Sequence, residues 1–135
     1  MRNRNLLLVL SFSVISFFSV GQKQKFDLKA SVDSGKEVYI AQCMSCHLEQ
    51  GEGIEGVYPP LAKSDYLMGD KKRSIQNVIH GVTGEIKVNG KTYNMEMAAF
   101  DLSDQEVSDV LNYIRNSWGN KGEAITPEDV SAVRK

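Results

Sequence analysis

The chain is sparing with the residues from which most sites are built. Its 135 residues include only two cysteines, two histidines, three prolines and one tryptophan. Both cysteines, Cys43 and Cys46, lie in one place, and no second cysteine pair accompanies them. A four-ligand zinc site therefore lacks half its donors, because His47 and His80 stand 33 residues apart. No alternation of strands with helices surrounds the pair, which argues against a thioredoxin-like redox centre. No run of basic residues marks a nucleic-acid surface, and there is no internal repeat or low-complexity segment. The apolar N-terminal run, Leu6 to Val20, is short for a membrane span, and no cysteine follows it to carry a lipid.

What is present begins with the layout of a secretory leader. Arg2 and Arg4 precede the apolar run, and Ser19 and Gly21 are small residues placed for a cut before Gln22. Residues 1–21 are read as a signal peptide, with an uncleaved anchor as the alternative. Without them 114 of the 135 residues remain, enough for one small domain. That mature chain has 14 basic against 17 acidic side chains, a net charge of −3. A mildly acidic, mixed surface suits a soluble protein that docks transiently.

Residues 22–30 read as a flexible lead. Residues 31–42 read as a helix capped by Ser31 or Asp33, with Val32, Val38, Tyr39 and Ala41 apolar. Gly51, Gly53 and Gly56 mark a loop, Pro59-Pro60 stiffens the chain, and residues 61–67 form a short helix. Residues 70–80 carry Ile75, Val78 and Ile79 on one helical stripe that Gly81 ends. Asn89-Gly90 between short alternating runs predicts a hairpin over 86–93. Residues 103–117 form the clearest helix: Ser103 and Glu106 make a capping box, and Val107, Val110, Leu111, Ile114 and Trp118 follow one stripe. Trp118 is read as core. Thr126 and Pro127 start a last short helix in a C-terminal extension, 121–135.

Cys43-Met44-Ser45-Cys46-His47 has the spacing C-x-x-C-H, the attachment signature of a c-type haem. Two thiols so spaced can add across the vinyl groups of one porphyrin, and the next histidine stands under the iron. Neither a redox pair, a zinc site nor a structural disulfide explains the histidine. The sixth iron position decides the chemistry: methionine gives an electron carrier, and an open position allows ligand chemistry. Met68, Met95, Met97 and His80 are the candidates. Met68 reads as core and His80 as a surface residue at a helix end. Met95 and Met97 point the same way in an extended chain, so geometry alone leaves both open. Tyr58 and Tyr93 are read as surface aromatics, with a bond to a haem propionate as the alternative.

The mature chain resembles the class I cytochromes c over nearly its whole length. Gly35 and Tyr39 resemble the first-helix positions that cross the last helix, with Val110 and Tyr113 as their partners. Pro59-Pro60-Leu61 resembles the P-x-L segment that follows the haem motif. The resemblance implies that the Pro59 carbonyl accepts the His47 Nδ1–H and that Leu61 packs on the haem. Met97-Ala98-Ala99-Phe100 resembles the M-P-x-F segment, with Ala98 where proline is usual, and implies Met97 as the iron ligand. Residues 59–67, 88–94 and 116–120 resemble haem-c domains fused to some copper nitrite reductases and related free-standing periplasmic cytochromes.

These readings predict an all-α fold of about four short helices around one covalent haem c, with a β-hairpin insertion, in a domain spanning 31–120. Cys43 and Cys46 bind the haem, and His47 and Met97 bind its iron. The expected function is periplasmic electron shuttling between respiratory partners that dock at the haem edge, including a nitrite reductase or terminal oxidase. The protein is expected to be monomeric, without a membrane span after signal cleavage, and not an enzyme. The rival readings are a haem subunit of a dehydrogenase or oxidase complex and a peroxide or small-ligand haem enzyme.

Overall fold

The computed structural model describes residues 25–135. The segment read as a leader, 1–21, lies outside them. The elements are α1 (Leu28–Gln42), α2 (Met44–His47), α3 (Asp65–Gly69), α4 (Lys71–His80), β1 (Ile86–Val88), β2 (Lys91–Tyr93), α5 (Asp104–Arg115) and α6 (Pro127–Arg134). The fold is helical with one two-stranded ribbon.

Helix α1 begins three residues before the expected start, so part of the segment read as flexible lead is helical. Asp27 is its cap: its carboxylate accepts from the Ala30 N–H at 3.1 Å. Ser31 does not serve as cap, because its hydroxyl is buried and donates to Asp109. Asp33 is exposed and pairs with Lys29 instead. The buried stripe is Ser31, Gly35 and Tyr39, spaced by four, while Ala41 faces solvent.

Helix α5 starts at the expected capping box. The Glu106 N–H donates to the Ser103 hydroxyl, and the Glu106 carboxylate accepts from the Ser103 N–H at 2.8 Å. Val107, Val110, Leu111 and Ile114 are buried along its stripe. The helix stops at Arg115, earlier than the stripe suggests. Trp118 lies beyond its end with φ of 53° and packs on the core from a turn. Asn120 takes over the last turn: its amide N–H groups donate to the Ile114 and Leu61 carbonyls at 2.8 and 2.9 Å, and its oxygen accepts from the Lys63 N–H at 2.8 Å.

Helices α1 and α5 cross at Gly35. A Cβ there would lie 1.9 Å from the Asp109 carbonyl oxygen and 2.9 Å from Tyr113 Cβ, so only glycine permits the approach. Gly35 thus meets Asp109 and Tyr113. Tyr113 is a partner at the crossing, as the resemblance implies, and Val110 lines the central cavity. Beside the crossing runs a buried polar seam. Asn112 donates to Ser31 Oγ and to the Ile125 carbonyl, and accepts from the Ile125 N–H at 2.8 Å. Ser108 donates to the same carbonyl at 2.7 Å. The seam seats Ile125, and α6 follows with Val130 fully buried.

Helix α3 is Asp65–Gly69, later and shorter than the helix expected over 61–67, because Ser64 caps it by accepting from the Leu67 N–H. The hairpin forms as expected: Ile86 pairs with Tyr93 and Val88 with Lys91. Asn89 and Gly90 supply the two positive φ angles, 51° and 78°. The turn is fastened to α3 in both directions, since Asn89 Oδ1 accepts from the Asp65 N–H and Asp65 Oδ1 from the Asn89 N–H. Val88 and Tyr93 are buried, so the ribbon closes one side of the central cavity.

Candidate haem site

Helix α1 delivers Cys43 directly into the short helix α2, which ends at His47. Both thiols are free and half-buried. Burial, and Cys46 beside it, push the Cys43 thiol up to about 11, so it stays protonated near neutrality and exchanges poorly with disulfides. His47 is buried, and its Nδ1 lies 3.0 Å from the Pro59 carbonyl oxygen. A carbonyl only accepts, so Nδ1 carries the hydrogen and Nε2 keeps a free lone pair. Burial lowers the His47 pKa, opposed by the Pro59 bond, which favours the neutral, metal-binding imidazole.

Pro59 is held in place by the loop between. The Gly53 N–H donates to the His47 carbonyl at 3.0 Å, and the Leu61 and Ala62 N–H groups both donate to the Gly51 carbonyl at 2.7 and 2.9 Å. Gly53, at φ +63°, allows the chain to fold back, since a Cβ there would lie 2.4 Å from the Tyr58 carbonyl oxygen. Trp118 lies over Gly51, where a Cβ would come within 2.4 Å of its ring. The same indole meets Tyr39 and Tyr113 at centroid distances of 5.1 and 5.4 Å. Trp118 does not line the cavity; it braces the wall behind it.

Met97 comes to the same cavity from a separate segment. Its N–H donates to the Val82 carbonyl at 3.0 Å, and its carbonyl accepts from the Val82 N–H at 2.9 Å. Gly81, at φ +77°, lets this segment close in, because a Cβ there would lie 2.4 Å from the Met97 carbonyl oxygen. The Phe100 N–H, bonded to the Val78 carbonyl at 3.0 Å, fixes the far end. Met95 is 53 % exposed.

Between the walls lies a cavity of about 440 Å³, within the roughly 300–1,000 Å³ typical of cofactor sites. Cys43, Cys46 and His47 line one side, and Met95 and Met97 another. Leu61 also faces it, as do Tyr58 and Tyr93. Met68 packs against the core and His80 is exposed at the end of α4; neither lines the cavity. The Pro59 carbonyl that orients His47 carries no side-chain signal, and only the family resemblance pointed to it. Trp118 packs on the core as the sequence implies; the bracing by Asn120 has no sequence signal beyond a polar residue past the end of an apolar stripe.

Two free thiols and a tautomer-fixed imidazole face a thioether wall across an apolar cavity inside a helical shell. That donor set fits an iron porphyrin attached through thioethers, and it defines a c-type haem protein. The comparison with known proteins is specific: the chain belongs to the cytochrome c family, whose model, described as Cytochrome c, matches residues 32–118. As a member it carries one covalently bound haem c and is an electron-transfer protein, not an enzyme. It is 38 % identical to cytochrome c-552 of Thermus thermophilus over 110 residues, covering 74 % of this chain and 83 % of that one. It is 32 % identical to cytochrome c6 of Pyropia yezoensis over 106 residues, covering 76 % and 86 %. It is 34 % identical to the cytochrome c subunit of the quinone alcohol dehydrogenase of Gluconobacter oxydans over 107 residues, covering 76 % of this chain but 22 % of that subunit.

Proposed function

We propose that the chain is an exported, periplasmic monohaem carrier in which His47 and Met97 would bind the haem iron, passing single electrons between respiratory proteins. Cys43 and Cys46 would tether the haem, the Pro59 carbonyl orients His47, and Leu61 would pack against the porphyrin. When bound, haem c supplies one-electron exchange between Fe(II) and Fe(III). His47 and Met97 are each anchored through hydrogen-bonded backbone, which would hold both donors in place for the iron. Most of the cavity lining is apolar, as a buried porphyrin would require. The observation that carries this reading is the His47–Pro59 bond at 3.0 Å on the cavity wall that also bears the two free cysteines.

Among the described residues no helix is long and apolar enough to cross a membrane. The reading takes residues 1–21 as a cleaved leader and the carrier as a monomer that docks through the haem edge. A nitrite reductase or a terminal oxidase is the proposed acceptor. Oxidised and reduced spectra of holoprotein test the ligation. A low-spin reduced spectrum and an oxidised sulfur–iron charge-transfer band are expected; Met95→Leu leaves the band in place and Met97→Ala abolishes or displaces it. A high-spin parent that binds carbon monoxide at once overturns the reading. The relationship to a dehydrogenase cytochrome subunit favours a second reading, a tightly held haem subunit. Gel filtration separates the two: a free carrier elutes as a monomer, a subunit with its complex.

A further inference from the structure

The cavity receives two methionines from one short stretch. We propose that Met95 is a second axial thioether: it takes the sixth iron position when the Met97 sulfur is lost, and so keeps the site closed to external ligands. This rests on the reading of Met97 as the resident ligand.

Met95 and Met97 both line the cavity, and the exposed Glu96 between them lines it as well. The two methionines are held very differently. Met97 is clamped by a reciprocal backbone pair with Val82. Among the described residues no backbone hydrogen bond holds Met95, which follows the last residue of β2 by two. Its side chain stands at the mouth of the cavity, half in solvent. An unbranched thioether with three rotatable bonds adapts to the reach required, and its sulfur is the same donor as that of Met97. The exchange replaces one iron–sulfur bond by another, so no electron or proton is gained or lost. A donor tethered two residues away acts at an effective concentration on the order of millimolar, which an external donor of equal affinity present at micromolar levels does not match.

The test uses holoprotein of four kinds: parent, Met95→Leu, Met97→Ala and the double variant. Leucine keeps the apolar volume at 95 and removes only the sulfur. The readouts are the oxidised sulfur–iron band and the rate of carbon monoxide binding to the reduced form, with far-ultraviolet helicity as the check on folding. Met97→Ala is expected to keep a displaced band and to bind carbon monoxide at least tenfold more slowly than the double variant. Equal fast binding and no band in both overturns the proposal. Loss of the band in Met95→Leu alone also overturns it, since Met95 would then be the resident ligand. A parent without the band refutes the axial reading of Met97 first, and is thereby distinguishable. If Met97→Ala loses helicity, Met97→Ser is read in the same way.

Discussion

The two walls of the cavity are built on opposite plans. The wall bearing His47 is closed upon itself. Its loop folds back through bonds from Gly53, Leu61 and Ala62, carries the Pro59 carbonyl to the imidazole, and is braced from behind by Trp118 and Asn120. The wall bearing the methionines is a length of chain with few fastenings: one reciprocal pair at Val82 and one bond from Phe100. The first is organised by the protein alone. The second is held at fewer points.

Gly51→Ala should break the contrast most severely. The new Cβ would lie 2.4 Å from the Trp118 ring on a residue at φ +65°. Overpacking together with the left-handed backbone should destabilise by about 2–4 kcal/mol, read as a lowered denaturant midpoint. Asn120→Ala should come next. It leaves the Leu61 and Ile114 carbonyls and the Lys63 N–H without their partner, and should lower stability by about 2 kcal/mol while weakening the His47 wall. In the ribbon on the other side, Gly90→Ala meets open space but keeps φ at +78°. It should destabilise by only about 1 kcal/mol. Native-state hydrogen exchange sharpens the comparison directly. The amides of Gly53, Leu61 and Ala62 should be protected far more than those of Met95 and Glu96, and equal protection would refute the two-plan description.

The smallest effect concerns α5, which serves both walls. Hydrogen bonds from the Ser103 hydroxyl and N–H hold the Glu106 carboxyl below its ordinary range. A depressed folded pKa gives stability that is present above the unfolded value, about 4.3, and lost as pH falls through the folded one. Glu106→Gln keeps an acceptor at this position but not the charge. Its melting point should fall slightly below that of the parent at neutral pH and match it at strongly acid pH.

Much of the fold was legible because the signals were local. The capping box of α5, the Asn89-Gly90 turn and the Thr126-Pro127 start of α6 are each satisfied by residues within a few positions. Boundaries set by distant partners were not. The start of α1 moved because Ser31 is engaged by α5, and the end of α5 because Asn120 draws the chain back across to Leu61. The polar seam of Ser108, Asn112 and Ser31 was invisible for the same reason. In the sequence these are ordinary polar residues, and only the crossing at Gly35 and the seating of Ile125 remove them from water.

By itself the sequence determined the chemistry of attachment: two thiols and an imidazole at fixed spacing need no tertiary structure to be recognised, because one short helix can present all three. It also determined the hairpin and the apolar stripe of α5, whose periods are set by backbone geometry. The tertiary structure decided which nitrogen of His47 is free, because that depends on a carbonyl twelve residues away. It decided that His80 faces solvent and that two methionines, not one, face the cavity. Those outcomes depend on how separate segments pack around a common space, and no local pattern encodes that.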